Sequence, residues 1–418
     1  MLVLLVLWEE LADSSLIPPA QMASPVKIRV RIYEKELVVT VRGFDLRLYT
    51  GINKTQLVYF ANQLSEWNVQ CQNGKIFLTQ EHRNYVLPEP LVIESEAGFT
   101  SVQNFPYRET LLFYSKGKYC ETINVLDIEK YLDGLVNLEF SAQWSKEAVA
   151  AQIIAARSYG YYQMLEARKN HHTHFDVEAS VKDQLYRGSM HEHFRASQIV
   201  NQTQGLILMM HENQILKPIK AFYHSMCGGQ TILPETVWGR NHFGFKKGVP
   251  CPFCKNSPFF KWEFFLSESD LKALIRQGVK DTGFPKDWLR ISSIILSYIS
   301  SGILSKWKLE NISVSRADNF DRVKEIELHF KNRLERVIFR VSGNRFRSWL
   351  GANRLKSTIF QIKTSVMLGD HGWYLMGRGN GHGVGLCQWG AKVMGEKGYQ
   401  MATILRHYYP DALIYKLW

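Results

Sequence analysis

The chain has 418 residues and a formal net charge of +12, with 45% apolar and 22% charged residues. That balance excludes a disordered or fibrous chain, and the length allows two domains, or one large domain with insertions, around a sizeable core. The positive surplus suits a polyanion such as cell wall, nucleic acid or anionic lipid, but no Lys/Arg block interleaved with aromatics is present, so nucleic acid is not expected as a partner.

Met1 to Trp8 are apolar, lack a positive leader and are too short to span a bilayer; they read as a clipped or weak signal sequence. Ser14 to Pro25 is rich in Ser, Pro and Ala, so residues 1–24 are set apart as a truncated signal and linker. No later run reaches the roughly 18 apolar residues of a spanning helix. Six cysteines, Cys71, Cys120, Cys227, Cys251, Cys254 and Cys387, are too few for a disulfide scaffold.

From Val26 to Tyr33 apolar and basic residues alternate, the period-two mark of a half-buried strand. Leu37–Gly43, Asp45–Tyr49 and Lys75–Leu78 continue the pattern, so residues 25–115 read as a small β-rich domain without a catalytic constellation. Around Asp127 the texture changes. Asp127–Val136 and Ser145–Arg168 read as helices, the second with Ser145 as N-cap and Glu147 in its first turn. Its stripe of Val149, Ile153, Ala156, Gly160 and Met164 has helical spacing, and its many small residues let neighbours approach closely, as suits a central core helix.

Gly205–Met210, Ile219–His224, Ile291–Tyr298, Val323–Phe330 and Leu334–Val341 read as strands, Ser267–Gln277 as a helix within an insertion, and Met401–Tyr409 as a terminal helix ended by Pro410. The expected fold class is α+β. A mixed catalytic core over 116–418, with its central helix following the catalytic loop and an insertion near 260–315, follows the β-rich domain.

Glu139 stands between Leu138 and Phe140, where apolar company would raise its pKa and let it act as an acid; the alternative is an exposed turn glutamate. Arg157 lies in a small, apolar helix and needs a partner, as a structural ion pair or as a substrate clamp. Ser225-Met-Cys-Gly-Gly229 places the Cys227 thiol at a tight turn three residues after His224, an arrangement open to a cysteine nucleophile, an anion-holding turn or a plain turn. Glycines 377, 379, 381, 383 and 385 alternate with Arg378, Asn380, His382 and Val384, which reads as a segment with one bare face for a sugar or another backbone. Cys251-Pro-Phe-Cys254 is a C-x-x-C pair that, with Cys227 and Cys387, would supply four thiolates to a structural zinc; a disulfide competes with that reading.

Taken in order, these segments resemble the stage II sporulation protein D family of peptidoglycan lytic transglycosylases, which includes the amidase enhancers. The matching residues are Glu139, then Glu147-Ala148 through Ala155-Ala156-Arg157-Ser158-Tyr159, then Gln184-Leu-Tyr-Arg-Gly188 and Thr203-Gln-Gly205. Ser225–Thr231, Arg347-Ser-Trp-Leu-Gly351, Leu355-Lys-Ser-Thr358, Gly377–Ala391 and His407-Tyr-Tyr-Pro410 follow. Coverage runs from about residue 120 to the end, apart from the insertion near 260–315.

The resemblance implies cleavage of the β-1,4 bond between N-acetylmuramic acid and N-acetylglucosamine with formation of a 1,6-anhydro end. Glu139 would be the acid/base, and Arg157, Tyr159, Ser225, Arg378, Asn380, His382 and Gln388 the substrate-binding candidates. It implies no required cofactor. Its partners would be glycan strands, often stripped of stem peptides, and an N-acetylmuramoyl amidase, in the periplasm or cell envelope, free or membrane-associated. Some relatives bind zinc through a His and two Cys just before the Gln184 segment, whereas His171, His172 and His174 here have no cysteine beside them. Two further readings stand beside the enzyme: a catalytically idle wall-binding enhancer of an amidase, and a thiol or zinc hydrolase using Cys227 with His224 or His382.

Overall fold

The computed structural model describes residues 26–169, 173–282, 307–367 and 369–418. Residues 1–24, His171, His172 and the strand expected at Ile291–Tyr298 lie outside the described residues. The fold is α+β, with eight helices and six sheets among the described residues. Two compact units are present, one built from residues up to Phe222 with Gly398–Trp418, the other from Tyr223–Lys397.

In the first unit the alternating strand Lys27–Glu36 buries Ile28 and Val30 on one face. On the other, Arg29 takes the Asp176 carboxylate and Arg31 takes those of Glu121 and Glu178. This strand lies between Tyr119–Asp127 and Val177–Glu178 in a seven-stranded sheet. A boundary at 115/116 therefore does not coincide with the compact units: the first strand finds its partners beyond it. Val39–Gly43 and Ser65–Gln72 belong to a six-stranded sheet in which burial of Ser65–Gln72 alternates at every residue. A disulfide between Cys71 and Cys120 joins this sheet to the seven-stranded one.

Helix α1 spans Ile128–Glu139, with the Asp127 carboxylate accepting from the Glu129 amide at 2.7 Å. It continues three residues past the expected end at Val136, so Glu139 is its last residue. Helix α2 spans Lys146–Lys169 with Ser145 Oγ accepting from the Ala148 amide, and is buried over most of its length. The helix Met401–Tyr408 docks its first amide on Glu147 Oε2 at 2.7 Å, and Tyr409 hydroxyl donates to Phe222 O at 2.6 Å. Where Ile219–His224 was expected to be one strand, Ile215–Pro218 and Tyr223–His224 are separate; Pro218 has no N–H to extend the ladder.

The second unit contains the antiparallel sheet Lys261–Ser267, Asp370–Arg378, Phe360–Met367 and the meander Lys308–Ala317, Val323–Lys331, Arg336–Ser342. They share a core that includes Trp262, Phe330, Phe346 and Trp373. Tyr223–His224 pairs in parallel with Leu386–Cys387, which places the Cys227 turn beside the glycine segment. Among the described residues no helix is long and apolar enough to cross a membrane.

Arg157 of α2 is fully buried, and its Nε and Nη2 both bond the Glu129 carboxylate of α1, the shortest contact being 2.6 Å. Removing one partner of such a pair strands the other charge, at a cost of about 3–5 kcal/mol. Arg157→Met is expected to lose that much in urea unfolding, and Arg157→Met with Glu129→Met to recover a large part of it. The Cys71–Cys120 bond closes a loop of 49 residues, which chain entropy values at about 4 kcal/mol. Cys71→Ser with Cys120→Ser should show a lowered urea midpoint of that order, and an unchanged midpoint would count against the bond.

Candidate functional site

Glu139 ends α1, and Phe140 beyond it turns to extended backbone. A carboxylate at a helix C-terminus faces the negative end of the dipole, so its charged form is disfavoured there. Phe140 is buried and stacks edge-on against Trp144 with ring centres 4.4 Å apart, so the chain next to the carboxyl is apolar. One oxygen accepts the Leu185 amide at 2.7 Å. Burial pushes the carboxyl pKa above the ordinary Glu value, and the Leu185 bond only partly opposes it. The helix thus fixes the Cα, the amide fixes the carboxyl plane, and the surroundings favour a held proton.

Tyr159 lies on α2 and is buried; its hydroxyl donates to Asp183 Oδ1 at 2.8 Å. Gln163 Nε2 and the Glu178 amide complete the Asp183 carboxylate. Burial first, then the Asp183 charge, drives the Tyr159 phenol far up, so it serves as a neutral donor. The Lys220 ammonium stands 5.1 Å from the Tyr159 ring centre. Asp183 is therefore a committed acceptor, while Glu139 keeps one oxygen beyond the Leu185 bond.

Arg157 is placed otherwise than a sugar clamp would require. Besides Glu129 it bonds Leu206 O at 3.1 Å, and Glu129 in turn accepts from the Gly205 amide and Trp418 Nε1. The Thr203-Gln-Gly205 motif is thus part of the housing of this pair. Ser158 beside it bonds Ile154 O and the Leu208 amide, tying α2 to the strand Leu206–Glu212.

In the second unit the strand ends at Arg378, and glycines 379, 381, 383 and 385 all take positive φ. An extended segment with one bare face is therefore not what forms; the chain coils, and its glycines are needed for conformation and contact. A Cβ on Gly383 would lie 2.7 Å from Arg322 Nη2, and one on Gly381 2.8 Å from His224 Cβ. Asn380 exchanges both backbone bonds with Met226, at 2.7 and 2.8 Å. Arg378 bonds Gly228 O and, at 2.9 Å, Asp321.

His382 receives the Val384 amide on Nδ1 at 3.1 Å and faces Tyr223 O with Nε2 at 2.9 Å, so the network assigns a neutral ring with its proton on Nε2. Burial, then the neighbouring His224, pushes its pKa down. His224 is bonded to Val384 O and held at about 4 by burial. Ser225 lends its carbonyl to the Trp389 amide, and Gln388 is buried at the start of the helix Gln388–Glu396. Two other motifs hold this segment from behind: Arg347 bonds Leu355 O and Lys356 O, and Lys356 O accepts the Gly381 amide at 2.8 Å.

Cys227, Cys251, Cys254 and Cys387 are free thiols, all buried, and their sulfurs lie within 4.8 Å of one another. Cys227 therefore faces three other thiols rather than a histidine. Near the Gln184 segment His174 stacks on Tyr114 and bonds Glu121, Glu178 bonds Arg31 and Asp183 bonds Tyr159. Those side chains are engaged separately. Sequence reasoning did not find the partners: the Leu185 amide, Asp183 as acceptor for Tyr159, Glu129 for Arg157, and Arg322. Leu185 falls inside a motif already singled out, but nothing in its identity marks its N–H.

Residues 116–210 match the family model described as Stage II sporulation protein. An uncharacterised protein of Brachyspira hyodysenteriae is 29% identical over 324 residues, 78% of this chain and 76% of that one. The Amidase enhancer of Bacillus subtilis is 26% identical over 306 residues, 68% of this chain but 40% of its own length. Stage II sporulation protein D of Bacillus subtilis is also 26% identical over 306 residues, 70% of this chain and 76% of that protein. The matched region contains Glu139, the α2 motif and the Gln184 segment, and over it the chain is similar to the stage II sporulation protein D family.

Proposed function

We propose that the chain is a peptidoglycan lytic transglycosylase that cleaves the β-1,4 bond between N-acetylmuramic acid and N-acetylglucosamine. The observation that carries this reading is the Glu139 carboxyl, oriented by Leu185 N–H and favoured in its protonated form. Most glycosidases need two carboxyl groups, one as acid and one as nucleophile or water activator. When the muramic C6 hydroxyl is the nucleophile, one is enough. Glu139 gives its proton to the glycosidic oxygen as the bond to C1 breaks. The resulting carboxylate then takes the C6 hydroxyl proton as that oxygen bonds C1, which closes the 1,6-anhydro ring and restores the acid.

Tyr159, Ser225, Arg378, Asn380, His382 and Gln388 are proposed contacts for sugar hydroxyl and acetamido groups. The buried setting of Arg157 argues for a supporting role instead. The Cys71–Cys120 disulfide supports work outside the cytoplasm, and the charge of +12 suits an anionic wall. The name of the Bacillus subtilis relative in turn supports an amidase working on the same wall.

With purified, de-peptided glycan, the native chain is expected to release anhydromuropeptides detectable by mass spectrometry. Glu139→Gln should lower that rate by about 10²–10⁴-fold while still sedimenting with cell walls. A native chain that binds walls and releases no anhydro product would point to the amidase-enhancing role instead.

The raised pKa also sets a stability signature. Ionising Glu139 is harder in the fold than in the unfolded chain, so its favourable contribution is fully present below the ordinary Glu range and is withdrawn as pH rises through the elevated value. Glu139→Gln should therefore melt higher than the native chain at pH 7, and that advantage should shrink as the pH falls toward 4. A constant offset across this range would contradict the raised pKa.

A further inference from the structure

We propose that Cys227, Cys251, Cys254 and Cys387 form a tetrathiolate site for one zinc ion, and that the buried guanidinium of Arg322 balances its charge. The ligands come from three places in the second unit. Cys227 follows the strand Tyr223–His224, Cys387 ends the strand paired with it, and Cys251 and Cys254 flank the start of a short helical turn, Pro252–Asn256. All four are at most 1% exposed. A tetrahedral site with Zn–S bonds of about 2.3 Å sets its sulfurs about 3.8 Å apart. Cys227 and Cys254 sulfurs are 3.6 Å apart, and all pairs fall within 4.8 Å. That is a spacing for ligands around an ion, since sulfurs in a disulfide stand at about 2.0 Å.

Two further observations point to charge at these sulfurs. The Cys227 amide is directed at Cys387 Sγ and the Gly229 amide at Cys227 Sγ, both at 3.4 Å. The second contact needs the positive φ of Gly228 and Gly229, which folds the turn back on its own cysteine. Such N–H donors favour thiolate over thiol and are a usual outer support of metal ligands.

Arg322 is 2% exposed, and its Nη2 bonds Cys227 O at 2.7 Å and Gln230 O at 2.9 Å. Its Nε has no partner, and Asp318 bonds its main-chain amide rather than its guanidinium. Among the described residues no carboxylate forms an ion pair with it. A buried cation of this kind is costly unless an anion is close. Four thiolates around Zn²⁺ leave two surplus negative charges shared among the four sulfurs, one of which belongs to the residue whose carbonyl Arg322 already grips. The ion would lock the Cys227 turn, the Cys251–Cys254 turn and the end of the glycine segment together, and so fix where Arg378, Asn380 and His382 stand.

The full chain, purified without added metal, is expected to contain about one zinc per molecule by elemental mass spectrometry. After denaturation in chelator, four cysteines should react with a thiol reagent while Cys71 and Cys120 do not. No reactive thiols would mean disulfides, and four thiols without zinc would mean plain packing; either overturns the proposal. Cys251→Ser should lower zinc content at least tenfold, and Arg322→Met should yield zinc to a competing chelator at least tenfold more readily. Should either variant fail to fold, exchange of the native protein's metal for Co²⁺ decides: a sulfur-to-cobalt charge-transfer band is expected, and its absence rejects the site. These readouts are independent of glycan cleavage, so this proposal and the transglycosylase reading can fail separately.

Discussion

The Arg157–Glu129 ion pair sets the geometry on which the candidate acid depends. A guanidinium in the middle of a helix made slim by Ala and Gly would be untenable alone, and Glu129 supplies the counter-charge from the first turn of α1. The pair fixes α1 against α2 and draws in Thr203, Gly205, Leu206 and Trp418 from three other parts of the first unit. With the start of α1 pinned, its last residue is pinned as well, and that residue is Glu139. An arginine suited by chemistry to binding a sugar thus acts at a distance, by deciding where a carboxyl group stands.

What the carboxyl can do follows from where the helix stops. Ending α1 at Glu139 combines three influences of different sign: burial and the helix dipole resist ionisation, and the Leu185 amide moderates them. The balance leaves a carboxyl group that holds its proton more tightly than an ordinary glutamate does. Asp183, the carboxylate around Tyr159, has a different arrangement, with three donors on its two oxygens. Two carboxyl groups in one unit therefore differ in how fully their oxygens are taken up by hydrogen-bond donors.

Much of this was legible in the sequence where the signal is local. Ser145 announces the second helix because a cap acts within three residues, and the alternation of Val26–Tyr33 announces its strand because side-chain direction has period two. Glu139 could be singled out by its neighbours, but that it ends a helix and meets the Leu185 amide depends on a contact across 46 residues. The two compact units were not legible for the same reason, since strand partners are chosen in space. Glycine alternation suggested an extended chain because period two usually means that; the positive φ values show the same spacing serving a coil. The Cys71–Cys120 pairing was invisible because it is set by which strands of two sheets come close.

The cysteines bring a final constraint. One chain holds a disulfide between Cys71 and Cys120 and four free thiols elsewhere. An environment that oxidises the first pair will also oxidise clustered thiols, unless something removes their reactivity. Burial alone slows that reaction but leaves four neighbouring sulfurs free to pair during folding, before they are covered. A metal bound as the thiolates converge resolves both problems, because it occupies the lone pairs an oxidant would attack and its binding energy favours the folded arrangement. The coexistence of the two sulfur states in one chain is thus itself a physical argument for an ion, separate from the distances and from the charge on Arg322.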